Sequence, residues 1–342
     1  MRRGLVYGSS TATWQISDPR YRALFARQAA IMFTEDDLLW YRLRPKPGDD
    51  LDFSYGDRMI GFAEDNGMLV FGAHLAWDQG FGNGWSDADL YGMQQTQARD
   101  LLLGTIRRVV GRYRGRVAAW SVANEVFDTG GLRTDVPWYS TVGPSYVADA
   151  FRTAHRADPD AMLVLNDFGF ETDDGDVLAS YKRAAALKVL DALLKDGVPV
   201  HALGLQAHLN TANFNTFDAA AYTTWMNHVS DRGVKLLITE LDVLDDGQPP
   251  QVGPRDRAVA DVYRGYLATA LQHPAVAALM TFGLSDRYTW LQEDYPRNDK
   301  APRRPLPYDS RLKPTPAYHV LHTALDKAAA RTPAWTPKRC TA

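Results

Sequence analysis

Short apolar runs alternate with longer amphipathic stretches along nearly the whole chain. The runs are continuously hydrophobic, often end in a polar residue, and span residues 4–8, 29–33, 68–73, 117–123, 162–166, 202–207, 235–240 and 276–282. Strands that are buried on both faces of a parallel sheet have this pattern. The runs therefore predict eight parallel strands.

Stretches with helical periodicity lie between these runs. They span residues 19–28, 55–66, 94–113, 146–157, 177–195, 219–232, 255–272 and 316–330. Asp18 is a candidate N-cap for the first stretch, and Gly67 is a candidate C-cap for the second. Eight alternations of strand and helix favour an α/β fold of the closed (β/α)8 type. One misassigned run would instead leave an open, doubly wound sheet.

No linker, repeat or low-complexity segment divides the chain. The 342 residues fit a single unit, since α/β barrels often exceed about 250 residues. We therefore predict one barrel domain over residues 1–330 and a C-terminal tail over residues 331–342. The proline-rich segment 296–316 is predicted to be the loop that follows the last strand.

Composition excludes several classes of partner. The chain is 45% hydrophobic and 23% charged, with a net charge of −3, so no basic field indicates nucleic acid or an anionic membrane. No apolar run approaches the roughly 18 residues of a membrane-spanning helix. We expect a monomer with neither nucleic acid nor membrane as a partner.

Cysteine and histidine give no sign of a metal or cofactor. The single cysteine, Cys340, cannot form an internal disulfide, and the eight histidines are scattered without a His-Glu-x-x-His motif. We therefore expect no cofactor and no metal. The first residues lack the apolar segment of a signal peptide. Localisation stays open between secretion after removal of a leader and the cytoplasm.

Aromatic residues are mildly over-represented, with 9 Trp, 16 Tyr and 13 Phe. Such rings suit either a large core or stacking on ligands. Trp85, Trp138 and Tyr139 fall in loops that follow strands, where they would either stack on sugars or shield the loops from solvent.

Two glutamates stand where apolar runs end. Glu125 follows the fourth run and Glu240 ends the seventh, and reactive groups of α/β barrels lie at the C-terminal ends of strands. The fourth and seventh strands of a barrel face each other, and a retaining glycosidase uses two carboxylates about 5–5.5 Å apart. The alternative is that both glutamates form ion pairs at loop mouths.

Neighbouring polar residues favour the catalytic interpretation. Asn124 directly precedes Glu125 and could bind a sugar hydroxyl. His208, at the end of the sixth run, could contact Glu240, with Asp242 fixing its tautomer.

Several ordered motifs resemble those of the family 10 glycoside hydrolases, the endo-β-1,4-xylanases, over nearly the full length. Residues 120–125 read WSVANE and resemble the acid/base motif WDVVNE, while residues 238–242, ITELD, resemble the nucleophile motif. Residues 203–208, LGLQAH, resemble GIQSH, and residues 165–168, LNDF, resemble LNDY. Residues 283–290, GLSDRYTW, resemble GVSDKxSW.

The resemblance implies a retaining hydrolase that cleaves β-glycosidic bonds by double displacement. Glu125 would be the general acid/base and Glu240 the nucleophile. The remaining implied site residues hold or wall the sugar in subsite −1 or support the nucleophile, namely Asn124, Gln206, His208, Asp242, Trp77 and Trp290. The implied partner is a β-linked oligosaccharide or glycoside.

The glycone side departs from the family pattern on the second strand. The motif ENxMKW reads EDDLLW at residues 35–40, so Glu35 is kept, the asparagine becomes Asp36 and the lysine becomes Leu39. These positions would grip the hydroxyls of the sugars in subsites −2 and −1.

The third and eighth strands also differ from the family motifs. The motif RGHTLVWH reads FGAHLAWD at residues 71–78, so Ala73 and Asp78 replace two histidines. Phe282 replaces the tryptophan of the Trp-Gly pair. His74 could compensate for the missing histidines.

These changes predict a more acidic pocket with fewer donors. A neutral xylo-oligomer would lose several charge-assisted hydrogen bonds of roughly 1.5–3 kcal/mol each. We therefore expect an altered −1/−2 pocket. The alternatives are a glycosidase or transglycosidase for a modified sugar, an amino sugar or a specialised-metabolite glycoside with an apolar aglycone, and a carbohydrate-binding barrel without catalysis.

Overall fold

The computed structural model describes residues 3–335. The strands in this range are β1 (Val6–Thr11), β2 (Ile31–Thr34), β3 (Leu69–Gly72), β4 (Ala119–Asn124), β5 (Met162–Asp167), β6 (Ala202–Leu205), β7 (His208–Asn210), β8 (Lys235–Leu244) and β9 (Val276–Thr281). All eight predicted runs form strands, and β7 follows β6 after two residues.

The helices of the same range follow the predicted stretches. They are α1 (Pro19–Gln28), α2 (Trp40–Leu43), α3 (Ser54–Asp65), α4 (Asp87–Tyr91), α5 (Gln95–Arg112), α6 (Pro137–Val142), α7 (Tyr146–Ala157), α8 (Ala179–Lys195), α9 (Ala219–Asp231), α10 (Val252–Ala270), α11 (Leu291–Asp294) and α12 (Pro316–Lys327). The Asp18 carboxylate caps α1 by accepting the N–H groups of Arg20 and Tyr21, as the sequence predicts.

The strands form one sheet with the order β6-β5-β4-β3-β2-β1-β9-β8-β7, and β6 also pairs with β8. The neighbouring pairs β1–β9, β4–β5 and β8–β9 are parallel. This order, with helices between the strands, is that of a closed (β/α)8 barrel. The predicted fold class is confirmed.

The chain divides into two compact units. One comprises the chain up to Ile31, Phe168–Ser180 and the chain from Leu205 onward; the other comprises Met32–Asp167 and Tyr181–Gly204. The first unit carries Glu240 and the second carries Glu125.

The predicted extent of the domain and tail stays a prediction. Arg331, the first residue of the predicted tail, donates its backbone N–H to the Arg3 carbonyl at 3.0 Å, and its side chain donates to the Leu271 carbonyl at 2.6 Å. Cys340 lies outside the described residues. Among the described helices, none has the length and apolarity needed to cross a bilayer.

Four short helices, α2, α4, α6 and α11, escape the sequence pattern. In the second unit, α2 and α6 contribute Trp40 and Trp138 to an aromatic cluster with Phe81 and Trp85. Trp138 is 1% exposed and Trp85 is 7% exposed, because both pack into this cluster. Stacking of these two rings on a sugar, one alternative for them, is therefore wrong; Trp85 and Trp138 shield the loops.

Candidate active site

The Glu240 region consists of Glu240, Gln206, His208, Asp242 and Trp290. Glu240 is only 4% exposed, and its backbone N–H donates to the Gln206 carbonyl at 3.0 Å. Its Oε2 lies 3.4 Å from His208 Nε2. The predicted contact between His208 and Glu240 is therefore present.

His208 also contacts Asp242 from its other ring nitrogen. Its Nδ1 lies 2.8 Å from Asp242 Oδ1, and the parallel pairing of β7 with β8 places these two residues opposite each other. The indole Nε1 of Trp290 donates to Asp242 Oδ2 at 2.8 Å. Both oxygens of the buried Asp242 are thus occupied, which fixes the orientation of the imidazole.

The charge of this region follows from its contacts. Burial alone would lower the pKa of His208, but Asp242, with a contribution from Glu240, raises it well above the ordinary value of 6.5. The imidazole therefore stays protonated at neutral pH and places a positive charge beside Glu240. That charge favours the ionised form of a buried carboxylate.

Two aromatic rings contact the His208 imidazole. Phe282 and Trp290 meet the His208 ring edge to face, at centroid distances of 5.6 Å and 5.2 Å. Phe282, at the end of β9, also contacts Trp290 at 6.1 Å. The predicted wall residue Trp290 and Phe282, which replaces the family tryptophan, therefore both lie against His208 and against each other.

The Glu125 region consists of Glu125, Trp77, Asp78, Gln79 and Arg133. Glu125 directly follows β4 and has a left-handed φ of 57°. Its Oε2 accepts hydrogen bonds from Trp77 Nε1 at 3.0 Å and Gln79 Nε2 at 3.4 Å. Both donors are neutral, unlike the protonated imidazole beside Glu240.

Asn124 is held firmly next to this region. It is 3% exposed, and its Oδ1 accepts a hydrogen bond from Asn166 Nδ2 at 2.8 Å across the β4–β5 pair. This contact fixes the orientation of the Asn124 amide, as a residue that binds a sugar hydroxyl requires.

His74 is buried against the same segment. It is 5% exposed; its Nδ1 lies 2.7 Å from the Ser121 Oγ, and its ring meets Trp77 edge to face at 5.2 Å. Ser121 occupies the place of the aspartate in the WDVVNE motif. His74 thus supports the ring of Trp77.

The two aspartates that replace family residues each have an arginine partner. Asp36 Oδ2, just after Glu35 at the end of β2, accepts from the Tyr41 hydroxyl at 2.7 Å and lies 3.4 Å from Arg42. Asp78 Oδ2 lies 3.0 Å from Arg133. Their negative charges are therefore compensated locally.

Comparison with known proteins decides the family. The family model described as glycosyl hydrolase family 10 matches residues 1–324. The chain belongs to glycosyl hydrolase family 10. It is a glycoside hydrolase, and the retaining mechanism is general to this family.

Two curated relatives of this family 10 chain are named as xylanases. It is similar to endo-1,4-beta-xylanase B of Thermotoga neapolitana, at 27% identity over 92% of this chain and 86% of the relative. It is also similar to the beta-1,4-xylanase of Dictyoglomus thermophilum, at 30% identity over 81% of this chain and 79% of the relative.

Solved structures of xylanases match the family 10 chain over nearly its full length. Native xylanase 10B of Thermotoga maritima superposes with a TM-score of 0.84 at 26% identity, covering 95% of this chain and 96% of that one. Xylanase 10B of Thermotoga petrophila RKU-1, solved in complex with xylobiose, also gives 0.84 at 26% identity, covering 95% of each chain.

Three polar side chains that contact predicted site residues were not predicted from the sequence: Arg133, Gln79 and Arg42. Arg133 donates to the Glu125 carbonyl at 3.0 Å, although it lies eight residues further along the chain. A turn signal, Gly130-Gly131, stands between them and would have indicated that the chain folds back. Nothing in the local pattern singles out Gln79 or Arg42.

A buried ion pair secures the segment after Glu125. Lys182 Nζ lies 2.8 Å from Asp167 Oδ1 and donates to the Phe127 carbonyl at 2.8 Å, while Asp167 Oδ2 accepts the Phe127 N–H at 2.8 Å. Within residues 3–335, no group of three or more His, Cys, Asp or Glu side chains is placed to hold a metal ion.

Proposed function

We propose that this family 10 glycoside hydrolase is a retaining xylanase-type enzyme in which Glu125 is the general acid/base and Glu240 the nucleophile. The observation that carries the proposal is the buried Glu240 carboxylate, held 3.4 Å from Nε2 of His208, whose Nδ1 lies 2.8 Å from Asp242. A nucleophilic carboxylate must be ionised and correctly oriented, and this arrangement supplies both conditions.

The proposed double displacement uses one glutamate as the acid/base and the other as the nucleophile. In the first step a Glu240 oxygen attacks the anomeric carbon while Glu125 donates its proton to the glycosidic oxygen, and the aglycone leaves as an alcohol. In the second step Glu125 removes a proton from water, whose oxygen attacks the same carbon and releases Glu240. Two inversions give net retention.

Four side chains bind and shape subsite −1 in this proposal. Asn124 and Gln206 bind sugar hydroxyls; Trp77 and Trp290 form the walls. Asn124 and Gln206 are both nearly buried, and Trp77 and Trp290 are each anchored through their indole N–H groups to a carboxylate. A site whose groups are fixed in this way loses little entropy when the sugar binds.

We further propose that the glycone subsites bind a neutral β-1,4-linked xylo-oligosaccharide more weakly than subsites with the residues of the family motifs would. Leu39 replaces a lysine, and its aliphatic side chain has no group that could donate a hydrogen bond to a sugar. The arginine partners of Asp36 and Asp78 disfavour a cationic amino sugar, since each carboxylate is already matched. Glu35 remains to bind the sugar in subsite −2.

The test is a panel of xylo-oligosaccharides, aryl β-xylobiosides and aryl β-glucosaminides, with product masses and the anomeric form followed by NMR. We expect xylo-oligosaccharides to be cleaved with retention. The double variant D36N/L39K restores the family motif and should lower KM for them about tenfold or more. Turnover of the glucosaminide alone would contradict the proposed substrate. An unchanged KM in the double variant would contradict the weakened glycone subsites.

A further inference from the structure

The backbone of Glu125 is held in an uncommon conformation. Its φ of 57° is left-handed, which is unfavourable for a residue with a Cβ and persists only when the surroundings impose it. Its N–H donates to the Asn166 carbonyl at 2.9 Å, and its carbonyl accepts Arg133 Nη1 at 3.0 Å. A residue of the neighbouring strand and one side chain therefore hold both backbone polar groups of Glu125.

A tight hairpin returns Arg133 to Glu125. The Asp128 N–H donates to the Gly131 carbonyl at 3.0 Å, and the Asp128 carboxylate accepts the N–H groups of Gly130 and Gly131. The Arg133 N–H then donates to the Val126 carbonyl at 2.7 Å. The backbone thus fixes where the Arg133 side chain begins.

The guanidinium of Arg133 connects three segments. Besides the Glu125 carbonyl, its Nη2 contacts Asp78 Oδ2 at 3.0 Å and its Nε contacts Asp135 Oδ1 at 3.2 Å. Asp78 directly follows Trp77, whose indole holds the Glu125 carboxylate. One side chain therefore links the backbone of Glu125 to the segment that holds its carboxylate.

We propose that Arg133 is a positioning residue that sets the orientation of the Glu125 carboxyl group for proton transfer. The proposal rests on the acid/base role proposed above for Glu125. The planar guanidinium donates in three fixed directions at once, and a lysine ammonium on its flexible stem cannot reproduce that geometry. Loss of the Arg133 guanidinium breaks its hydrogen bonds to the Glu125 carbonyl and to Asp78 together. The carboxyl group of Glu125 then moves relative to the glycosidic oxygen.

The test compares two substrates that differ in their need for an acid. A 2,4-dinitrophenyl β-xylobioside releases a stable anion without protonation, whereas phenyl β-xylobioside requires it. For Arg133→Lys and Arg133→Met we expect kcat/KM for the phenyl substrate to fall about 10–100-fold, because small misplacements of a catalytic group are costly. For the dinitrophenyl substrate we expect less than about a threefold change.

Arg116→Met is the matched control, because Arg116 makes a bidentate pair with Glu64 at 2.8 Å and 2.7 Å on an exposed surface. The Arg116→Met variant should have the wild-type kcat/KM for both substrates. Circular dichroism and the unfolding midpoint verify that each variant is folded, and Arg133→Lys keeps the charge if Arg133→Met unfolds.

Two results would overturn the role of Arg133. Equal losses on both substrates would show that Arg133 affects binding or folding rather than proton transfer, and unchanged rates would show that it positions nothing. The Glu125→Ala variant distinguishes a failure of the proposed role of Arg133 from a failure of the proposed acid/base role of Glu125. If Glu125→Ala itself shows no dependence on the leaving group, the acid/base assignment fails and the role of Arg133 fails with it.

Discussion

The Glu240 region and the Glu125 region hold their carboxylates in different ways. Glu240 lies within β8, is nearly buried, and faces a protonated imidazole that Asp242 and Trp290 fix. Glu125 lies just beyond β4 in a left-handed conformation, and its carboxylate accepts hydrogen bonds from the neutral side chains of Trp77 and Gln79. One carboxylate has a cationic neighbour within a strand, whereas the other has neutral donors on a turn.

The difference matches two chemical tasks. A nucleophile stays ionised and needs one fixed direction, which a cation and a regular strand provide. A general acid/base gains and loses a proton in each cycle, so a fixed cation at its carboxylate would oppose one of its two states. The guanidinium of Arg133 contacts the backbone carbonyl of Glu125 and so orients the residue from the peptide side.

The largest effect is expected at the nucleophile. Glu240→Gln keeps the size of the side chain but removes the attacking oxygen anion, so kcat/KM should fall by about 10⁵-fold or more for phenyl and dinitrophenyl β-xylobiosides alike. Glu64→Gln, an exposed glutamate of the other unit, is the matched control and should keep full activity. If Glu240→Gln keeps kcat/KM within tenfold of the wild type, Glu240 is not the nucleophile, and the two regions do not serve the two proposed tasks.

A smaller and selective effect is expected at the acid/base. Glu125→Ala should lower kcat/KM for phenyl β-xylobioside by about 10²–10⁴-fold, because the leaving alkoxide is no longer protonated. The dinitrophenyl substrate should lose less than about tenfold in kcat/KM, and added azide should restore its turnover by replacing the activated water. If both substrates lose equally, the two glutamates do not have different tasks.

Stability should show the smallest effect, and it should depend on pH. Asp242 and Glu240 raise the pKa of His208 in the folded state against the effect of burial. The stabilisation that this shift contributes to the folded state is complete below the pKa of the unfolded chain, about 6.5. That contribution is lost as pH rises through the folded pKa. His208→Gln should therefore lower the free energy of unfolding by about 1–3 kcal/mol at pH 6 and by less at pH 10.

Denaturant unfolding of the wild type and His208→Gln between pH 6 and pH 10 measures this difference. His228→Gln is the matched control, because His228 is an exposed histidine of α9. A difference that stays constant or grows with pH would show that His208 is not held protonated by its carboxylate neighbours.

The fold could be predicted from local patterns because each element buries its own apolar residues. Helix α1 begins and ends where Asp18 and its periodicity predict, and each apolar run contains a strand. The short helices α2 and α6 escaped prediction because they are too short for a periodic pattern. Trp40 and Trp138 pack together there through contacts that only the folded chain brings about.

The candidate site could be predicted in part for the same reason. Glu240 ends one apolar run, with Asp242 two residues further on, and His208 follows another, so their mutual contacts follow from strand order, although β8 continues past Glu240 to Leu244. The partners of Asp36 and Asp78 could not be predicted, because loop conformation, not strand register, decides which arginine reaches each carboxylate. Arg133 was missed although the glycines before it indicate a turn.

Trapping the glycosyl-enzyme intermediate tests the central claim most directly. In a 2-deoxy-2-fluoro xylobioside the fluorine slows both steps, while a dinitrophenyl leaving group keeps the first step fast, so the covalent intermediate accumulates. After incubation, proteolysis and mass spectrometry, we predict one fluoroxylobiosyl group per chain, attached to Glu240. A label on Glu125 or on another residue, or a turning-over enzyme that never becomes labelled, would contradict the account.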